Sequence, residues 1–93
     1  MNIPEIKKRI LPILKPYGVN RAGIFGSAAR GDMNLKSDID ILVNIQKDIS
    51  LFDFVGLKIE LENVLGKKVD LVEYHCIKPI LRAKILEEQV EIL

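Results

Sequence analysis

The run DIDILVNI at residues 38–45 alternates with a period of two. Ile39, Ile41 and Val43 fall on one face of the strand it predicts, and Asp38, Asp40 and Leu42 on the other. Such a strand needs apolar cover on its isoleucine face and sets two carboxylates side by side on the opposite one. The rest of the chain must supply that cover.

It does so with helical patterns. Ile3, Ile6, Ile10, Ile13 and Leu14 recur at three- and four-residue spacing, predicting an amphipathic helix over 3–15. Pro4 is tolerated in its first turn, Pro12 should kink its last, and Pro16, Tyr17 and Gly18 end it. VNRAGIF at 19–25 then reads as a strand. Ser50 and Asp53 have capping-box spacing, and Leu51, Phe54, Leu57, Leu61, Val64 and Leu65 form a helical stripe that stops at Gly66. KKVDLVEY repeats the strand pattern, with Val69 and Leu71 opposite Asp70, Val72 and Tyr74. Pro79 opens a last helix, and VEIL offers a short final strand.

The order α-β-β-α-β-α has no repeat or linker, and its apolar faces call for one shared sheet with helices packed on it, the other sheet face being partly open. The expected fold is α+β, a small mixed sheet with helices mainly on one face. Ninety-three residues make one domain, 1–93, with a single core. A formal charge of +1 lacks the field of a non-specific nucleic-acid binder, so no such binding is expected. Cys76 is the only cysteine, which excludes an internal disulfide and a structural zinc site. Without a signal-peptide hydrophobic region or a long apolar run, the protein is expected to be cytoplasmic and to have no membrane partner.

The chemistry concentrates around GSAARGDMNLKSDID, residues 26–40. Two carboxylates on one strand face repel unless a cation lies between them, and hard divalent cations such as Mg²⁺ take oxygen ligands shared with substrate phosphates. Alone, a D-x-D at a strand start is commonly a polar strand end. If helices cover the face of Val69 and Leu71, Asp70 emerges beside Asp38 and Asp40, and three carboxylates converge. Such a trio can hold two metal ions for an in-line phosphoryl displacement, and Asp70 can also accept the attacking hydroxyl's proton. Gly26 and Ser27 follow the first strand and open a short helix whose backbone N–H groups can meet a phosphate. Neither G-x-x-x-x-G-K-[ST] nor G-x-G-x-x-G is present, which removes the P-loop and dinucleotide readings.

GSAARGDMNLKSDIDILV resembles the G-S-(A)-R-G…S-D-x-D signature of nucleotidyltransferases of the DNA polymerase β superfamily, and within it the minimal nucleotidyltransferases (MNT) encoded beside HEPN proteins. The likeness includes Asp70 and the order of elements. It implies Mg²⁺-dependent transfer of a nucleoside monophosphate, AMP from ATP, with Asp38, Asp40 and Asp70 as catalytic metal ligands for two Mg²⁺ ions. Gly26 and Ser27 match the phosphate-binding pair, and Arg30 the family arginine, which contacts phosphate or holds the loop. It also implies an antitoxin whose partner is a HEPN toxin, adenylylated on a tyrosine. The alternatives are a catalytically weak antitoxin that neutralises by binding, and transfer to a small molecule or RNA. The remaining polar residues carry no assigned chemistry: Lys36, Lys67 and Lys68 read as a solvated face, His75 as a structural or surface residue, Cys76 as a small buried or half-buried one.

Overall fold

A computed structural model describes residues 1–34 and 36–93. Helix α1, Ile3–Leu14, begins where the Asn2 side-chain oxygen accepts the Glu5 N–H at 3.0 Å. It runs through Pro12 to Leu14, and a 3-10 turn, Lys15–Tyr17, closes it at Gly18 with φ 81°. Strand β1, Val19–Phe25, leads into the short helix α2, Gly26–Arg30, and β2 covers Ile39–Ile45. Helix α3, Leu51–Leu65, carries the expected capping box. Ser50 Oγ accepts the Asp53 N–H at 3.1 Å, and the Asp53 carboxylate accepts the Ser50 N–H at 3.4 Å. Strand β3, Val69–Glu73, a 3-10 turn at Tyr74–Cys76, helix α4, Pro79–Glu88, and strand β4, Val90–Glu91, complete the order.

The sheet runs β3-β2-β1-β4. β1 pairs antiparallel with β2 and β4, whereas β2 and β3 are parallel and joined by the α3 crossover. Ile39, Ile41, Val43, Val69 and Leu71 point from the sheet into one core, closed by Ile6, Ile10 and Leu14 of α1 and Leu57, Leu61 and Leu65 of α3. Full burial of each such side chain contributes about 1.5–3 kcal/mol, so this layer dominates the stability.

The second sheet face is roofed over part of its length. Leu42, completely buried, packs there with Tyr74 and Ile77, and Phe25, Val72, Ile85 and Leu86 extend the cluster. Helix α4 forms the roof. Its far end is pinned above β1, where the Tyr74 hydroxyl donates to Gln89 Oε1 at 2.7 Å. Gly23 permits this approach, because a Cβ there would stand 2.1 Å from Gln89 Oε1 and 2.8 Å from the Tyr74 oxygen. The carboxylate end of this face lies outside the roof: Asp38 and Asp70 are exposed and Asp40 half-buried. Cys76 is exposed rather than buried or half-buried as expected, since the turn that follows β3 directs Tyr74 and Ile77 inward instead.

Candidate active site

The alternation in β2 sets Asp38 just before the strand and Asp40 within it, on the face away from Ile39 and Ile41. The parallel pairing with β3 then places Asp70 directly opposite Asp40, one inter-strand spacing away, about 4.8 Å. The same register continues outward through Ile41 opposite Leu71 and Leu42 opposite Val72. One end of the face is therefore polar and acidic, and the part beneath α4 is apolar. The structure thus brings Asp38, Asp40 and Asp70 to one edge.

Gly26 stands beside this edge, since Phe25 pairs with Asp40 and Gly26 follows it. Its φ of 71° lies in the left-handed region, and a Cβ at Gly26 would fall 2.1 Å from Asp40 Oδ2. Glycine is needed there on both counts: the backbone turns sharply from β1 into α2, and the Asp40 carboxylate occupies the side-chain space. Gly26 and Ser27 start α2, whose first-turn N–H groups have no acceptor within the helix. Phosphate-compatible donors and the carboxylate cluster therefore face each other across a glycine.

Burial, followed by the negative charges of Asp70 and Asp38, pushes the Asp40 carboxyl above its ordinary range, and Arg30 partly opposes them. The cluster therefore favours a bound proton or cation. Its donors are hard carboxylate oxygens contributed by two adjacent strands, which suits Mg²⁺ rather than a soft metal.

Arg30 is half-exposed and pairs with Asp32, its Nε 3.3 Å from Oδ2, while Nη1 lies 3.8 Å from Glu88 Oε2. It links α2 to the end of α4. Lys67, taken from the sequence as solvated, instead clamps the segment entering β2: its Nζ donates to the carbonyls of Asn34 at 3.0 Å and Ser37 at 3.4 Å. The Ser37 hydroxyl also accepts the Asn34 N–H at 3.0 Å. These bonds fix the residues immediately before Asp38, a function carried by loop backbone that no sequence motif marks. His75 is a surface residue, 3.1 Å from Glu73. Glu73, His75 and Cys76 each bring a ligand atom within 4.8 Å of the others, but His75 and Cys76 are exposed.

The family model described as "Polymerase beta, Nucleotidyltransferase" matches residues 8–93. A Methanocaldococcus jannaschii protein assigned as a protein adenylyltransferase is 55% identical over 93 residues, covering 100% of both chains. A solved structure assigned as a minimal nucleotidyltransferase superposes with a TM-score of 0.83 at 33% identity, covering 97% of this chain and 95% of that one. A chain of the solved complex between a tri-AMPylated Shewanella oneidensis HEPN toxin and an MNT antitoxin gives a TM-score of 0.74 at 20% identity, covering 97% and 71%.

Proposed function

The chain belongs to the polymerase β nucleotidyltransferase family, and from that premise we propose that residues 1–93 act as one catalytic domain that moves AMP from ATP onto a hydroxyl of a protein partner. The observation that carries this reading is the register that sets Asp40 beside Asp70, with Gly26 packed against the Asp40 carboxylate.

Asp38, Asp40 and Asp70 are the residues that would hold Mg²⁺, two ions on this reading, and the metal would supply charge neutralisation for an in-line displacement. The first-turn N–H groups at Gly26 and Ser27, with the Ser27 hydroxyl, bind the phosphates that leave as pyrophosphate. Asp70 accepts the proton of the attacking hydroxyl. Arg30, paired with Asp32 and reaching Glu88, keeps α2 and α4 in place around the nucleotide.

The Shewanella complex joins an MNT antitoxin to an AMPylated HEPN toxin. By analogy the partner here is a HEPN toxin, the acceptor a tyrosine, and the physiological role that of an antitoxin. A reaction that consumes ATP fits the cytoplasm, and among the described residues no helix is long and apolar enough to cross a membrane.

Intact-mass spectrometry of the protein mixed with a HEPN-type partner, ATP and Mg²⁺ tests this. We expect the partner to gain one or more AMP masses, and the gain to vanish with EDTA or with Asp38→Ala and Asp40→Ala together. A stable complex whose partner stays unmodified with every divalent metal would replace catalysis by stoichiometric neutralisation. Gly26→Ala provides an internal check. Its methyl displaces the Asp40 carboxylate, and a misplacement of that size costs about 10²-fold in rate, read as kcat/KM.

A further inference from the structure

Away from the carboxylate edge, three side chains of different chemistry meet where β3 ends. Glu73 closes the strand, and His75 and Cys76 stand on the 3-10 turn that follows it. One donor atom from each lies within 4.8 Å of the other two, and His75 Nε2 is 3.1 Å from Glu73 Oε2. A tetrahedral Zn²⁺ takes oxygen, nitrogen and sulfur ligands at about 2.0–2.3 Å, which sets neighbouring ligand atoms about 3.4–3.7 Å apart. Side-chain adjustments of about 1 Å therefore bring all three donors into one coordination shell.

The backbone that carries them is already held. Tyr74 and Ile77, buried at 4% and 7% exposure, anchor the turn on either side of His75 and Cys76. The Ile77 N–H donates to the Tyr74 carbonyl at 3.4 Å, and Arg82 Nη1 donates to the same oxygen at 2.7 Å. Donors on an anchored backbone lose only side-chain freedom when they bind. The contact between Glu73 and His75 is cheap to give up, because their side chains are 27% and 71% exposed and such a pair contributes little in water. We propose that Glu73, His75 and Cys76 form a Zn²⁺ site, distinct from the carboxylate edge and independent of the nucleotide-transfer reading.

The donor set decides the metal. One thiolate, one imidazole and one carboxylate favour a borderline cation, whereas Mg²⁺ prefers the all-oxygen trio of Asp38, Asp40 and Asp70. Strand alternation turns Glu73 to the sheet face opposite Asp70, so these two carboxylates do not share an ion. A single cysteine forbids the closed, cysteine-rich site of a structural zinc, but three donors with a fourth position left to water make an open one. Glu73 and Cys76 also line a cavity of about 560 Å³ between β3 and the start of α3, with Ile49, Leu51 and Phe54, so the ion stands at its rim. On binding, the Cys76 thiol passes its proton to the medium as the sulfur–metal bond forms, and no electron is transferred.

Co²⁺, the spectroscopic stand-in for Zn²⁺, tests the site in the full chain carrying Asp38→Ala and Asp40→Ala, with excess Mg²⁺ and a non-thiol reductant present. One Co²⁺ per chain should bind, with a thiolate-to-metal charge-transfer band and the intense visible bands of tetrahedral geometry, and Zn²⁺ should displace it. Cys76→Ser should abolish the charge-transfer band. His75→Ala should weaken Zn²⁺ binding, read by competition with Co²⁺, about 10²-fold or more, since losing a donor exceeds the cost of disturbing the groups that orient one. In EDTA both variants should melt with their parent, because His75 and Cys76 are exposed, and this separates lost binding from lost fold. A charge-transfer band that keeps its affinity in His75→Ala would reduce the site to a lone thiol and overturn the proposal, as would the absence of any such band at sub-millimolar Co²⁺. Light scattering that shows two chains sharing one ion would overturn it too, by moving the site to a contact between copies.

Discussion

Replacing Asp40 by Asn should lower nucleotidyl transfer by about 10²-fold or more and, in the metal-free protein, should raise the melting temperature. The two effects share a cause. Asp40 is half-buried, faces Asp70 across the parallel pair, and has its carboxyl pushed up by burial and by its acidic neighbours. The charge that suits it to a cation is therefore a liability without one.

The sign follows from linkage. A carboxyl whose folded pKa lies above its unfolded value contributes stability that is fully present below the unfolded pKa and is lost as pH rises through the folded one. Well below the ordinary carboxylate range both proteins carry a neutral group at position 40, and their melting temperatures should approach each other. At a pH above the folded pKa, where the wild type is charged at position 40, the Asn variant should melt higher. Mg²⁺ should then raise the melting temperature of the wild type and leave the variant little changed. Calorimetry at both pH values with EDTA, and at neutral pH with Mg²⁺, checks this alongside the rate. An Asp40→Asn protein with full activity would remove the carboxylate trio from the mechanism.

The other large effect is structural. Ile41→Asp should leave the chain unfolded or insoluble at 25 °C. Ile41 lies between the two aspartates' strand positions and Leu42, with 0% exposure, inside the core made with α1 and α3. A carboxylate there would sit in an apolar core cluster, and its burial penalty, added to the lost burial of about 1.5–3 kcal/mol, approaches the whole stability of a domain this size. Far-UV circular dichroism with a thermal melt reads the outcome. Leu81→Asp, on a half-exposed position of α4, is the control that should melt cooperatively. A folded, cooperative Ile41→Asp protein would mean that β2 presents its other face to the core.

Much of this was legible in the residues themselves. The alternation around Asp38 and Asp40 sorted β2 correctly into an isoleucine face and a carboxylate face, because side-chain direction in a strand follows from covalent geometry. Ser50, Asp53 and Gly66 marked both ends of α3, since capping is satisfied by neighbours within a few residues. Glycine followed by serine after VNRAGIF announced the start of α2 for the same local reason. Lys67 and Cys76 were read otherwise than they stand. Lys67 bonds carbonyls thirty or more positions away, and the exposure of Cys76 depends on which neighbours the turn after β3 turns inward.

By itself, then, the sequence determined the elements, their faces and the identity of the chemical groups, all of which rest on contacts a few residues apart. Only the tertiary structure decided that β3 lies parallel beside β2 with Asp70 opposite Asp40, that the Asp40 carboxylate fills the space a side chain at Gly26 would need, and that α4 roofs the second face to leave an apolar cleft at Asp70. Strand partner, register and helix placement are chosen by the burial of the whole apolar surface at once, and no local pattern encodes that sum.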